Sequence, residues 1–122
     1  MYKRQVLKVE VPVDLNFVEG FGQAHRSHEE TLQAFRDAAA PASNHDLVYL
    51  SAGVSFEWFE ASLKLASEAG VQFSGFMCGR ALWADAVDVF GKGGEDELRN
   101  WLQGYGVSRL KRLVEALEYV EQ

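Results

Sequence analysis

The 122-residue chain has little of what marks secreted, membrane-spanning or nucleic-acid-binding proteins. Its one cysteine, Cys78, has no partner for an internal disulfide, which indicates a reducing compartment. No apolar run reaches the roughly 18 residues that a membrane span needs, and no signal peptide opens the chain. The 12 basic and 18 acidic residues give a net charge of −6, without the basic face that nucleic acid requires. These absences predict a soluble cytoplasmic protein with neither nucleic acid nor membrane as a partner.

The composition and the patterning are those of one α/β domain. Hydrophobic residues make up 48% of the chain and charged residues 25%, which excludes disordered and collagen-like classes. Three apolar, β-branched segments predict strands, at Val6–Val11, Leu47–Ser51 and Val71–Met77. Helical patterns follow each of them, with capping signals at Ser27 and Ser55 for the first two. Strands joined by helices run parallel, so we expect their carboxyl ends to meet at one rim.

Residues 1–5 fit this pattern poorly. Met1–Gln5 leads into an apolar strand without a cap or a turn, and Tyr2–Gln5 is what TATAAGAGACAG, a common transposon-end sequencing adapter, encodes. We therefore interpret residues 1–5 as a non-native scar and residues 6–122 as the domain. A short disordered natural terminus is the alternative interpretation.

The first strand carries a lysine at an unusual place. Leu7, Val9 and Val11 alternate with Lys8 and Glu10, so one face is apolar and the other is charged. An unpaired ammonium in an apolar sheet is costly, so we expect either an ion pair with Glu10 or an amine that burial keeps uncharged. An uncharged lysine amine attacks carbonyl groups to form a Schiff base. A lysine that only guards a sheet edge is the alternative.

The residues that follow two neighbouring predicted strands are of the types that bind anions. Gly79 and Arg80 follow the third strand and open a helix, which supplies backbone amides beside a guanidinium. Ser51 and Gly53 follow the second strand and add a hydroxyl and further amides. A solvated surface arginine is the simpler explanation of either pair taken alone. Together they predict a phosphate-binding position at the rim.

The histidines are weaker candidates. His25 and His28 lie one helical turn apart without an evident third ligand, so we expect no metal site. His45 follows a polar turn and is predicted to face solvent. We expect Cys78 to be a small buried residue, because no base accompanies it in the sequence.

Four motifs in order resemble the tagatose 1,6-bisphosphate aldolase family. They are Leu7–Val13, Val18–Phe21, Tyr49–Val54 and Cys78–Ala81, and the similarity continues through Trp83-Ala84, Glu97 and Trp101-Leu102 to the last helix. The family is a (β/α)8 TIM barrel and a class I aldolase that needs no metal and no cofactor. The resemblance implies that Lys8 forms the Schiff base with the ketose carbonyl. It also implies that Ser51, Gly53, Gly79 and Arg80 hold a substrate phosphate.

The resemblance begins at strand six of the barrel. It implies that the chain is the C-terminal part of the enzyme, about strands 6–8 with their helices. The five preceding βα units, which carry the family's catalytic glutamate, are then missing. We therefore expect the chain alone to be inactive, and to aggregate or fold incompletely. A homo-oligomer of the full-length protein is compatible with the sequence. Two alternatives stay open, an aldolase of the same fold that cleaves sulfofructose 1-phosphate and a non-catalytic phosphosugar-binding relative.

Overall fold

A computed structural model describes residues 6–15, 27–42 and 44–117, so the interpretation of residues 1–5 as a scar lies outside the described residues. Its strands are β1 (Val6–Glu10), β2 (Asp46–Leu50) and β3 (Gly75–Met77). Its α-helices are α1 (His28–Ala39), α2 (Phe56–Glu68), α3 (Arg80–Trp101) and α4 (Val107–Leu117). A 3-10 turn (Ala40–Ala42) follows α1, and a π-helical segment (Leu102–Gly106) joins α3 to α4. The α/β class is confirmed.

The three strands form one parallel sheet in the order β1-β2-β3, as predicted. Register partners lie side by side on the same face of a sheet. One face therefore carries two rows, Lys8-Val48-Gly75 and, one step nearer the carboxyl ends, Glu10-Leu50-Met77. The other face carries Val9-Tyr49-Phe76. Successive neighbours joined by helices are the arrangement found in a segment of a (β/α)8 barrel.

The helices cover the face that carries Tyr49. Tyr49 is 1% exposed and packs edge-on against Phe35 of α1 and against Phe73, with ring centroids 6.0 and 5.3 Å apart. Phe59 of α2 is fully buried and meets Phe76 of β3 in the same way. Burial of each such side chain contributes about 1.5–3 kcal/mol, so this side of the sheet holds the hydrophobic core. The opposite face is left open by the described residues.

The predicted caps are present at both helix starts. The Ser27 hydroxyl accepts a hydrogen bond from the Glu30 amide at 3.1 Å, and the Glu30 carboxylate accepts one from the Ser27 amide at 3.4 Å. The Ser55 hydroxyl accepts a hydrogen bond from the Trp58 amide at 3.2 Å. Each cap satisfies an amide that has no partner within its helix, which fixes where α1 and α2 begin.

The third strand is shorter than predicted. Its register pairs with β2 begin at Gly75, and of residues 71–74 only Ser74 bonds to β2, with its amide donating to the Leu47 carbonyl at 2.7 Å. The chain leaves α2 through Gly70, whose φ of 84° is left-handed, and the Val71 amide then donates back to the carbonyl of Ala66. Val71 is apolar because it enters the core, where it is 9% exposed. The predicted strand is therefore confirmed for Gly75–Met77 and wrong for residues 71–74.

Helical spacing in the last helix predicts an apolar stripe of Leu110, Leu113, Val114, Leu117 and Val120. This stripe is only partly buried. Leu113 is fully buried, whereas Leu110 and Val114 are 47% and 42% exposed. Polar contacts fix this orientation, since Glu60 of α2 accepts two hydrogen bonds from Arg112 at 2.6 and 2.7 Å. Val120, also predicted for the stripe, lies outside the described residues.

The glycines at 91, 93 and 94 predict a break in the chain after the third helix. The break lies at Gly94, which has a φ of 77° inside α3. The residues before and after Gly94 are helical, so α3 consists of two helical arms. Among the described residues, no helix combines the length and the apolar composition that crossing a membrane requires.

Candidate functional site

Three charged residues lie on the open face of the sheet: Asp46 at its amino end, and Lys8 and Glu10 of β1 nearer its carboxyl end. Lys8 and Glu10 are exposed and point to this face, while Leu50 and Met77 continue the Glu10 row across β2 and β3. The face thus combines an ammonium, a carboxylate and apolar side chains at the carboxyl ends of parallel strands. Ligands of α/β folds bind at this end of the sheet.

All five predicted site residues line one open groove of about 770 Å³ at this end of the sheet. They are Lys8, Ser51, Gly53, Gly79 and Arg80. Lys8 comes from β1, Ser51 and Gly53 from the turn after β2, and Gly79 and Arg80 from the start of α3 after β3. The parallel topology brings these three chain segments together, although they are far apart in the sequence.

The Arg80 side chain extends across the turn that follows β2. A β-carbon on Gly53 would lie 3.0 Å from Nη2 of Arg80, so the guanidinium rests directly over the Gly53 backbone. Within the described ranges, this guanidinium has no hydrogen-bond or ion-pair partner, unlike those of Arg36, Arg99, Arg109 and Arg112. An exposed guanidinium without a carboxylate is free to bind an anion that enters the groove.

The turn after β2 has a left-handed backbone at two successive residues. Ala52 has a φ of 52° and Gly53 a φ of 78°, and the Val54 amide donates to the Ser51 carbonyl at 3.1 Å. The left-handed conformation costs a residue with a β-carbon about 1 kcal/mol. Local strain at Ala52 is thus retained where the chain turns at the rim of the groove, a location typical of functional sites.

Lys8 differs in one respect from the expectation. Its side chain is exposed on the open face and forms no ion pair with Glu10 in the described part of the chain. Neither the expected ion pair nor the expected burial is found among the described residues, because no described element packs on this face. The amine shares the groove with Arg80, as the sequence predicted.

Sequence reasoning missed part of the groove lining. Cys78 and Trp83 both line the groove. Cys78 is half-buried, and this burial raises the pKa of its thiol. Trp83 is 48% exposed. The adjacency of Cys78 to Gly79 and Arg80 was the available signal, since residues that follow a parallel strand lie at the rim.

The histidines lie away from the groove. His28 Nε2 is 2.8 Å from a carboxylate oxygen of Glu68, which links α1 to α2. His45 is half-buried, and its Nδ1 lacks a hydrogen-bond partner among the described residues, so the prediction of a solvent-facing histidine was wrong. His25 lies outside the described residues.

The chain is similar to aldolases from several bacteria. Tagatose 1,6-diphosphate aldolase 1 of Streptococcus pyogenes serotype M3 is 50% identical over 115 residues, which are 93% of this chain and 35% of that protein. Tagatose 1,6-diphosphate aldolases of Staphylococcus epidermidis and Staphylococcus aureus are 49% and 47% identical, over 88% and 93% of this chain and 34% and 35% of theirs.

No protein-family model matches the chain. The resemblance drawn from the four motifs is nevertheless confirmed by the curated relatives. The chain is similar over nine-tenths of its length to tagatose 1,6-diphosphate aldolases, and it spans about a third of their length.

Proposed function

We propose that this chain supplies the Schiff-base lysine and one phosphate-binding site of a class I aldolase that cleaves tagatose 1,6-bisphosphate. The observation that carries the proposal is the convergence of Lys8 and Arg80 on one groove at the carboxyl ends of the sheet. Arg80 has no protein partner in the described ranges, and Lys8 is accessible in the same groove. The names of the relatives favour tagatose 1,6-diphosphate over a sulfonated sugar as the substrate.

The proposed chemistry needs an accessible amine beside a fixed phosphate. The Lys8 amine attacks the C2 ketone to give a carbinolamine, which loses water to form an iminium. A base takes the proton of the C4 hydroxyl, the C4 carbonyl forms, and the iminium accepts the electron pair of the breaking C3–C4 bond. This step releases glyceraldehyde 3-phosphate and leaves an enamine. Protonation of the enamine at C3 and hydrolysis of the iminium then release dihydroxyacetone phosphate and free Lys8.

Arg80 and the turn after β2 have the positioning role in this scheme. A phosphate that pairs with the guanidinium and with amides at the start of α3 holds the ketone near Lys8. Fixing the reacting atoms in this way lowers the entropic part of the barrier. The proton shuttle belongs, in this proposal, to βα units of the barrel that this chain does not span, so the chain alone gives no turnover.

Reductive trapping tests the lysine directly. The full chain is incubated with dihydroxyacetone phosphate and borohydride, and peptides are analysed by mass spectrometry. We expect a reduced triose phosphate adduct on Lys8, because the other described lysines, such as Lys64 on α2, lie outside the groove. Lys8→Arg removes the nucleophile and keeps the charge, so the adduct disappears, whereas Lys64→Arg leaves it unchanged.

The Arg80→Ala variant tests the phosphate position. Losing a charge-assisted hydrogen bond raises the half-saturating triose phosphate concentration about tenfold. Uniform labelling of all lysines, or no adduct with the unaltered chain, contradicts the Schiff-base proposal. Saturable binding without any adduct supports a non-catalytic phosphosugar-binding protein instead.

A further inference from the structure

A second groove adjoins the groove of Lys8 at the same end of the sheet. Its volume is about 560 Å³, and its lining includes Glu10. The two grooves share Leu50, Ser51 and Ala52 as a common wall. A ligand that enters the first groove and is long enough to pass this wall therefore reaches Glu10.

Glu10 is placed to contact such a ligand. It lies two residues after Lys8 on the same face of β1, in the row nearer the carboxyl ends of the strands. Its side chain is exposed, and its carboxylate has no hydrogen-bond or ion-pair partner in the residues that the structure describes. By contrast, Glu60 and Glu68 are paired with Arg112 and His28.

Ser51 supplies a polar group at the common wall. The residue is 8% exposed, and its hydroxyl has no hydrogen-bond partner among the described residues. A hydroxyl in such a position exchanges its hydrogen bonds to water for bonds to a ligand when one binds. Ser51 lines both grooves, so a ligand atom at this point satisfies it.

The charges at the two sides of the wall differ in sign. Lys8 and Arg80 line the first groove, which suits a phosphate and a carbonyl. A carboxylate only accepts hydrogen bonds, so Glu10 selects a group that donates them and repels an anion. Resting on the proposed function, we infer that Glu10 is a specificity-determining residue that binds the hydroxyl-bearing carbons of the sugar beyond the carbonyl that Lys8 attacks.

A charge on an edge strand has a purely structural explanation as well, since it discourages pairing with another chain. The two roles differ in what they select. An edge charge affects self-association and treats all ligands alike, whereas a hydroxyl acceptor affects long sugars and leaves short ones unchanged.

Comparing two ketose phosphates separates these roles. The full chain is trapped with borohydride in the presence of either dihydroxyacetone phosphate or tagatose 1,6-bisphosphate, and half-saturating concentrations are measured. The triose carries the phosphate and the ketone but lacks the further hydroxyl-bearing carbons. We expect Glu10→Gln to raise the half-saturating concentration of the ketohexose about tenfold, as for a lost hydrogen bond to a charged group, and to leave the triose unchanged.

Glu115→Gln is the matched control, because it removes one negative charge from an exposed position of α4 outside both grooves. It is expected to change neither value. Equal effects of Glu10→Gln on both sugars, or no effect on the ketohexose, overturn the inference and leave the Schiff-base proposal intact. Absence of the triose adduct in the unaltered chain overturns both.

Discussion

The ionisation of Tyr49, a buried core residue, makes the stability of the fold depend on pH. Its ring lies between Phe35 and Phe73 on the covered face of the sheet, and burial raises its pKa from 10.0 to about 12. The phenol is uncharged when protonated, so the folded state retains this proton more tightly than the unfolded state does. The stabilisation is complete below pH 10 and is lost as pH rises from 10 to about 12.

We therefore expect Tyr49→Phe to remove part of the alkaline destabilisation. The variant keeps the ring contacts and lacks the ionisable group, so between pH 10 and about 12 it loses about 2 kcal/mol less than the unaltered chain. The measurement is the unfolding free energy from denaturant titrations across this range. Tyr105→Phe is the control, because Tyr105 is 67% exposed. Equal alkaline losses in Tyr49→Phe and the unaltered chain would show that Tyr49 is not responsible.

At the scale of elements, the turn after β2 connects backbone conformation to the anion site. Gly53 and Gly70 both have left-handed φ values, 78° and 84°. A β-carbon on Gly53 would lie 3.0 Å from the Arg80 guanidinium, whereas one on Gly70 would have nothing within 4 Å. Both glycines adopt a left-handed backbone, but only at Gly53 would an added β-carbon contact another residue.

Alanine substitution at each glycine separates strain from function. Both Gly53→Ala and Gly70→Ala are expected to destabilise the chain by about 1–2 kcal/mol, because each forces alanine into the left-handed region. Only Gly53→Ala displaces the guanidinium, so only it weakens binding of inorganic phosphate, measured by calorimetry. If both variants bind phosphate equally well, Arg80 does not depend on the turn in the way the geometry indicates.

The elements differ in how far the sequence predicts them. The capping serines fixed the starts of α1 and α2, because a cap is a local hydrogen bond between residues three apart. The convergence of Lys8 and Arg80 was predicted from topology, since parallel strands share a rim. Residues 71–74 were assigned to a strand because apolar character reports burial and not hydrogen bonding. The exposure of Lys8 and Leu110 depends on what packs against them, which periodicity does not reveal.

The molecule as a whole has one covered side and one open side. β1 and β3 are both edge strands with a neighbour on one side only, and no described element packs on the face of Lys8. Val6 and Met77 at these edges are each 53% exposed, and Trp83 and Leu110 beside β3 are nearly as exposed. Open parallel edges with apolar neighbours favour association, and closure of a barrel is the arrangement that removes them.

This asymmetry predicts that the chain assembles with the part of a relative that it does not match. We expect it to co-purify, when co-expressed, with the segment of the Streptococcus pyogenes aldolase outside the 115 matched residues. The pair is expected to cleave tagatose 1,6-bisphosphate, measured as release of glyceraldehyde 3-phosphate. Under the proposed function the segment contributes the proton shuttle, and it is expected to cover the open edges. The chain alone is expected to self-associate and to release none.

A Lys8→Arg chain distinguishes assembly from chemistry in this experiment. The substitution leaves both strand edges and the apolar residues beside β3 unchanged, so the pair still forms, while the Schiff base cannot. If the chain alone is a monodisperse monomer that unfolds cooperatively and does not bind the complementary segment, the sheet does not have the open edges described above. Cleavage by the Lys8→Arg pair contradicts the role of Lys8 even if assembly occurs as expected.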